Sequence, residues 1–147
     1  MVQTRIVQSH PALIVEEKRR HLVITDLHIG FEKTLLSNEI HVDPRELIQE
    51  TLDYLLAIIE YERPDSLILL GDIKSGIDSI SKIEWDAVPL FFEIGKKIKT
   101  TVIPGNHDGN LQKLVPDYVN LTSSSGMVID DVLLTHGHTM PSEIYPL

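Results

Sequence analysis

Four short apolar runs govern what this chain can fold into, because each one breaks off into glycine, aspartate and histidine. They read ITDLHIG, LILLGD, TVIPGNHD and VLLTHGH, and together they extend from Ile24 to His138. Apolar runs of this length, bounded by turn residues, suit strands buried on both faces. The stretches between them carry helical spacing instead. Asp43-Pro44 has the form of an N-cap followed by proline at the first helical position, after which Leu47, Ile48, Leu52, Leu55, Leu56 and Ile59 recur on one face to about Tyr61. The segment 84–98 predicts a second helix, with Pro89 in its first turns or at a kink. A short helix is expected after Gly30, and another at 111–115. ALIVEE and HLVITD predict a hairpin across Lys18-Arg19-Arg20, and GMVID with DVLLTHGH predicts a second around Asp130-Asp131. Strands alternating with helices define an α/β protein with helices packed on sheet faces.

Repeats and composition breaks are absent, so 1–147 is expected to form a single domain. No run of eighteen apolar residues exists to span a membrane, and the first twenty residues lack the pattern of a signal peptide. With no cysteine there is neither a disulfide framework nor a thiolate metal site, and a cytoplasmic location is expected. The net charge of -9 argues against a protein that coats nucleic acid non-specifically, since such binding relies on Lys and Arg. It does not exclude a nuclease, because bound divalent cations reverse the sign of an acidic site locally. One Trp, four Tyr and three Phe offer no obvious platform for stacking bases.

The polar chemistry falls just after the apolar runs, and open α/β sheets place their ligand sites at the carboxyl ends of strands. Those four tips deliver Asp26, His28, Asp72, Asn106, His107, Asp108, His136 and His138. Aspartate and histidine without cysteine form an oxygen and nitrogen donor set, suited to Mn, Fe(II), Zn or Ni. Asp26 and His28 are two apart at a strand end, which would turn both to one side. Gly71 before Asp72 permits close backbone approach, and Gly105 and Gly109 permit a sharp turn that exposes Asn106-His107-Asp108. Taken singly, each of these is an ordinary cap, turn or core histidine. Their order, each at the end of a strand-like run, is what carries weight.

That ordered set, Asp-x-His, Gly-Asp, Gly-Asn-His-Asp and His-Gly, resembles the calcineurin-like metallophosphoesterase superfamily over Asp26 to His138. DLHIGFE with GDIK and HGH is similar to its ICC-like phosphoesterase branch, small proteins distantly similar to DNA-repair nucleases. The resemblance implies two facing mixed β-sheets flanked by helices, with two divalent metal ions, Mn²⁺ foremost and Fe, Zn, Ni or Mg as alternatives. It implies Asp26 and His28 as ligands of the first metal, Asp72 as the bridging carboxylate, and Asn106 and His136 as ligands of the second. It also implies His107 as the catalytic histidine near the leaving group and Asp108 as the acid that orients it. The implied reaction is hydrolysis of a phosphate mono- or diester, a nucleotide or nucleic acid among the candidates, by a metal-bridging hydroxide.

Two departures qualify the match. The family's second acid, as GDxxD, is Ser75 here, and the closing Gly-His-x-His is missing from a chain that ends at Leu147. Aligning Gly137-His138-Thr139-Met140 with that motif would put Met140 at its last histidine. The alignment adopted makes His136-Gly137 the penultimate ligand pair, so the resemblance implies that the closing strands and one ligand per metal are missing. An open sheet edge of this kind favours self-association. The alternatives are a weak or inactive binding scaffold of the same fold, and a nuclease component of a repair assembly. Lys74 and Ser75, beside Asp72, are candidates for substrate contact. Lys18-Arg19-Arg20 is expected to be a solvated turn, His10, His21 and His41 to be structural or exposed, and Trp85, Phe91 and Phe92 to lie in the core or an interface.

Overall fold

A computed structural model of the chain describes residues 1–31, 38 and 43–140. The helix expected after Gly30 and the side chain of His41 fall outside those residues. Six strands form one sheet in the order β1 (Gln3–Ile6), β2 (Leu13–Glu16), β3 (Arg20–Ile24), β4 (Ser66–Leu70), β5 (Lys99–Ile103) and β6 (Asn120–Leu121). β1, β2 and β3 pair antiparallel, whereas β3 to β6 run parallel, so the sheet is mixed. The hairpin predicted across residues 18–20 is the β2–β3 pair, and Arg20 is already the first residue of its second strand. β7 (Met127–Ile129) and β8 (Val132–Leu134) make a separate two-stranded sheet, the second predicted hairpin.

Strand alternation splits the core into two layers. Leu22, Leu67, Leu69 and Val102 face the helices, where they meet Ile48, Leu52, Leu55, Phe91 and Phe92. Val23, Ile68 and Ile103 face the other way and pack on Ile129 and Leu134 of the small sheet. The hairpin thus covers the face that the helices leave open. Burial of each large apolar side chain here contributes about 1.5–3 kcal/mol, and β4, buried nearly throughout, is where both layers join.

Helix α1 (Pro44–Glu62) begins as its sequence predicts, with the Asp43 carboxylate accepting from Arg45 N at 2.9 Å and Pro44 in the first turn. It buries Ile48, Leu52, Leu55 and Ile58, and it stops at Arg63, left-handed at φ 49°, before Pro64. The second helix differs from expectation. α2 (Lys82–Phe91) starts earlier than residue 84, because Ser81 and Glu84 form a reciprocal capping box. It also ends sooner, passing into a tight 3-10 turn at Phe92–Lys96. Pro89 lacks the N–H needed to continue the ladder and lies near the helix end, not in its first turns. The short helix near 111–115 is a single 3-10 turn, Leu111–Lys113. Phe91 and Phe92 are core residues, while Trp85 is half exposed. Among the described residues no helix is long and apolar enough to cross a membrane.

Candidate metal centre

β3, β4 and β5 are parallel, so their carboxyl ends lie side by side, and the candidate residues leave the sheet there. The chain after β3 does not continue as a strand. Asp26 and His28 adopt left-handed backbone, at φ 56° and 46°, and Asp72 after β4 does the same at 53°. Such conformations cost about 1–3 kcal/mol each and persist only where the surroundings enforce them. The enforcement is visible in the backbone. Asp26 N donates to Gly71 O at 3.1 Å, His28 N to Asp72 O at 2.9 Å, Ile29 N to Ile73 O at 2.8 Å and Ser75 N to Ile29 O at 2.9 Å. The two loops therefore run as a bonded pair beyond the ends of their strands. Asp26 and His28 converge through these bends, not through the strand alternation expected from sequence.

Asp72 is the centre of the cluster. It is buried, and its two oxygens face two imidazoles: Oδ2 lies 3.8 Å from His28 Nε2, and Oδ1 lies 3.4 Å from His136 Nε2. Asp26 Oδ1 lies 3.7 Å from the same His28 nitrogen. Asp26, Asp72 and His136 each offer a donor atom within 4.8 Å of one another. Two carboxylates and imidazole nitrogen at this spacing fit a divalent cation of the harder or borderline type. His136 Nδ1 donates to Leu70 O at 3.0 Å, which leaves the Nε2 lone pair facing the cluster. The Thr25 hydroxyl lies 2.8 Å from Asp26 Oδ2 and 2.6 Å from Leu70 O.

Two glycines make this closeness possible. A Cβ at Gly71, itself at φ 79°, would overlap the His136 ring, and one at Gly105 would overlap the Asp72 carboxylate and backbone N. Asn106 stands exposed on the turn after Gly105. His138 is exposed, with its ring 5.6 Å from that of His136.

His107 and Asp108 are placed by different bonds from those expected. His107 N donates to Asp72 Oδ1 at 2.9 Å, its ring meets His28 edge-on at 5.1 Å, and its Nδ1 lies 2.7 Å from Ser75 O. Asp108, buried, accepts from Ile73 N at 2.8 Å, Lys74 N at 3.1 Å and Gly105 N at 2.7 Å. Burial pushes its carboxyl upward and the Asp72 charge adds to the rise, while those three N–H groups oppose it. The Asp108 oxygens are committed to backbone, and the Ser75 carbonyl orients the ring. Lys74, a candidate for substrate contact, is fully buried, and its ammonium is bound to carbonyls of the following loop. Sequence reasoning missed Thr25 and the carbonyls of Leu70 and Ser75. A backbone carbonyl has no signature in sequence, though the absence of an acid at Ser75 was a hint.

Comparison with known proteins bears on the family and the fold. The family model of calcineurin-like phosphoesterases matches residues 19–146. A solved structure titled nuclease MPE, from Pseudomonas putida, superposes with a TM-score of 0.59 at 19% identity, covering 99% of this chain and 70% of that one. No curated protein matches the chain. The match over nearly the whole length, on a mixed sheet with a second small sheet at its back, shows that this chain belongs to the calcineurin-like phosphoesterase family.

Proposed function

We propose that the protein hydrolyses phosphate esters, mono- or diesters, with divalent cations held by Asp26, His28, Asp72, Asn106 and His136. The observation that carries this is Asp72, buried between His28 and His136 with one carboxylate oxygen toward each. A carboxylate so placed is disposed to serve two cations at once. Mn²⁺ is the ion proposed, and the donor set also suits Fe, Zn, Ni or Mg. When bound, such cations supply charge neutralisation at the phosphate oxygens and a water of lowered pKa.

The chain's own residues do the rest. Leu70 O and Thr25 fix the faces that His136 and Asp26 present. His107, with Nδ1–H committed to Ser75 O, turns Nε2 to the site, and as the imidazolium it gives the Nε2 proton to the departing oxygen, help worth roughly 10²–10⁴-fold. Asp108 ties the turn that carries His107 to the loop that carries Asp72. A diester is the first substrate class to test, because the solved protein sharing this fold is titled a nuclease.

The test is metal content after dialysis, together with bis-p-nitrophenyl phosphate hydrolysis in Mn²⁺, for the wild type, Asp72→Ala and His107→Ala. Bound metal, and turnover lost in Asp72→Ala, is the expected result. Metal without turnover would favour a binding module of the same fold. No metal, and no effect of Asp72→Ala, would end the catalytic assignment.

A further inference from the structure

Two buried charged side chains lie outside the set of residues assigned to that reaction so far. Lys74 passes beneath the loop that follows it and donates to the carbonyls of Gly76, Ile77 at 3.4 Å and Ser79 at 3.4 Å. An ammonium has three donors, so backbone alone satisfies this buried charge. Glu84 acts on the N–H side of the same loop. Its Oε1 accepts from Gly76 N at 2.7 Å and its Oε2 from Ser81 N at 2.6 Å. Desolvation pushes the Glu84 carboxyl up, but the N–H groups of Ser81 and Gly76, with the Lys74 charge, outweigh it and hold it below the usual range. Its Cγ occupies the space a side chain on Gly30 would need, so it also packs on the end of the Asp26–His28 loop. Asn110 adds a further strut, with Nδ2 donating to Asp78 O at 3.0 Å.

The loop fixed in this way delivers one atom to the site, the Ser75 carbonyl oxygen, 2.7 Å from His107 Nδ1. A carbonyl can only accept, so the proton sits on Nδ1 and Nε2 is left for chemistry. We propose that Lys74 and Glu84 are positioning residues. Acting through the 75–79 loop, they hold the Ser75 carbonyl on His107 and fix its imidazole in the Nδ1–H tautomer. The kinetic consequence rests on His107 as proton donor in the function proposed above, whereas the tautomer rests on geometry alone.

The test takes Lys74→Met and Glu84→Gln in the full chain and reads each in two ways. Long-range ¹H–¹⁵N correlation in Mg²⁺ at alkaline pH shows which nitrogen of His107 carries the proton. Free neutral histidine favours Nε2–H, so the expected result is Nδ1–H in the wild type and reversion to Nε2–H in the variants. With bis-p-nitrophenyl phosphate and Mn²⁺, kcat is expected to fall about 10–100-fold, the usual size of such supporting contacts, at unchanged KM and metal content. Should Lys74→Met fail to fold, Glu84→Gln, which keeps its shape and loses an acceptor, decides the matter alone. Folded variants that keep the Nδ1–H pattern, or that lose rate only through KM or lost metal, overturn the proposal. A wild type without turnover, whose Nδ1–H pattern is nonetheless lost in the variants, would remove the phosphoesterase function and leave the positioning role standing.

Discussion

The two ends of the parallel strands handle buried charge in opposite ways. Near their amino ends, Glu62 is buried at the last turn of α1 and paired with both guanidinium nitrogens of Arg5, while Arg20 bonds Glu16 and the Glu62 carbonyl. Glu16 and Glu62 there each meet a guanidinium within the chain. At the carboxyl ends, Asp72 faces Asp26 and two imidazoles, and Asp108 is held by N–H groups alone. One end is complete in itself. On the proposed function a cation from outside would complete the other, and this contrast would separate a structural ion pair from a binding site.

The largest effect expected from that contrast is on Asp72→Ala. Losing several kcal/mol of charge stabilisation lowers turnover by ~10³-fold or more, and bound metal falls with it. Turnover and metal retained in that variant would break the comparison outright. His107→Ala comes next, with kcat lower by about 10²–10⁴-fold but metal content unchanged, since His107 supports Asp72 through its backbone N–H.

Thermal unfolding sharpens the contrast further. Saturating Mn²⁺ is expected to stabilise the wild type, by about 2.7 kcal/mol at a hundred times Kd, and to leave Asp72→Asn little changed. In EDTA the same Asp72→Asn is expected to be more stable than wild type, on the order of 1 kcal/mol, because a like charge beside Asp26 is gone. A lower melting temperature in EDTA would mean that the site is as self-compensated as the other end.

Glu62→Gln should do the reverse, and its effect should depend on pH. The hydrogen bond from Arg5, outweighing desolvation, holds the Glu62 carboxyl below its ordinary value of 4.5. Its contribution is therefore present above about 4.5 and is lost as pH falls through the lowered folded value. Melting curves of wild type and Glu62→Gln should differ at pH 7 and converge in acid. Parallel curves across that range would deny the pair its role.

Much of this was legible in sequence where local chemistry and burial agree. Asp43-Pro44 and the helical recurrence from Leu47 to Ile59 gave α1 almost to the residue. The apolar run 66–70 read as a strand buried on both faces, and it is one. β1 escaped notice because all four of its residues are exposed and nothing alternates. The end of α2 was lost for another reason, since its apolar pattern continues through Phe92 and Ile94 while the backbone tightens into a 3-10 turn. Of the site, the side chains were readable and the scaffolding was not. Asp26, His28, Asp72 and His136 lie close together, but the carbonyls of Leu70 and Ser75 that aim the histidines could be seen only in three dimensions.

The left-handed bends at Asp26, His28 and Asp72 have a consequence for how this centre would fail. Their contortion is enforced by the sheet and by paired loops, so a cation bound as proposed would find its donors already aimed and need not organise them. Affinity then depends on how firmly the core clamps those loops. A cavity opened beneath them, as by Leu69→Ala, would let the bends relax toward ordinary backbone. Weaker cation binding would be the earliest symptom, arriving while the far-ultraviolet spectrum still looked native.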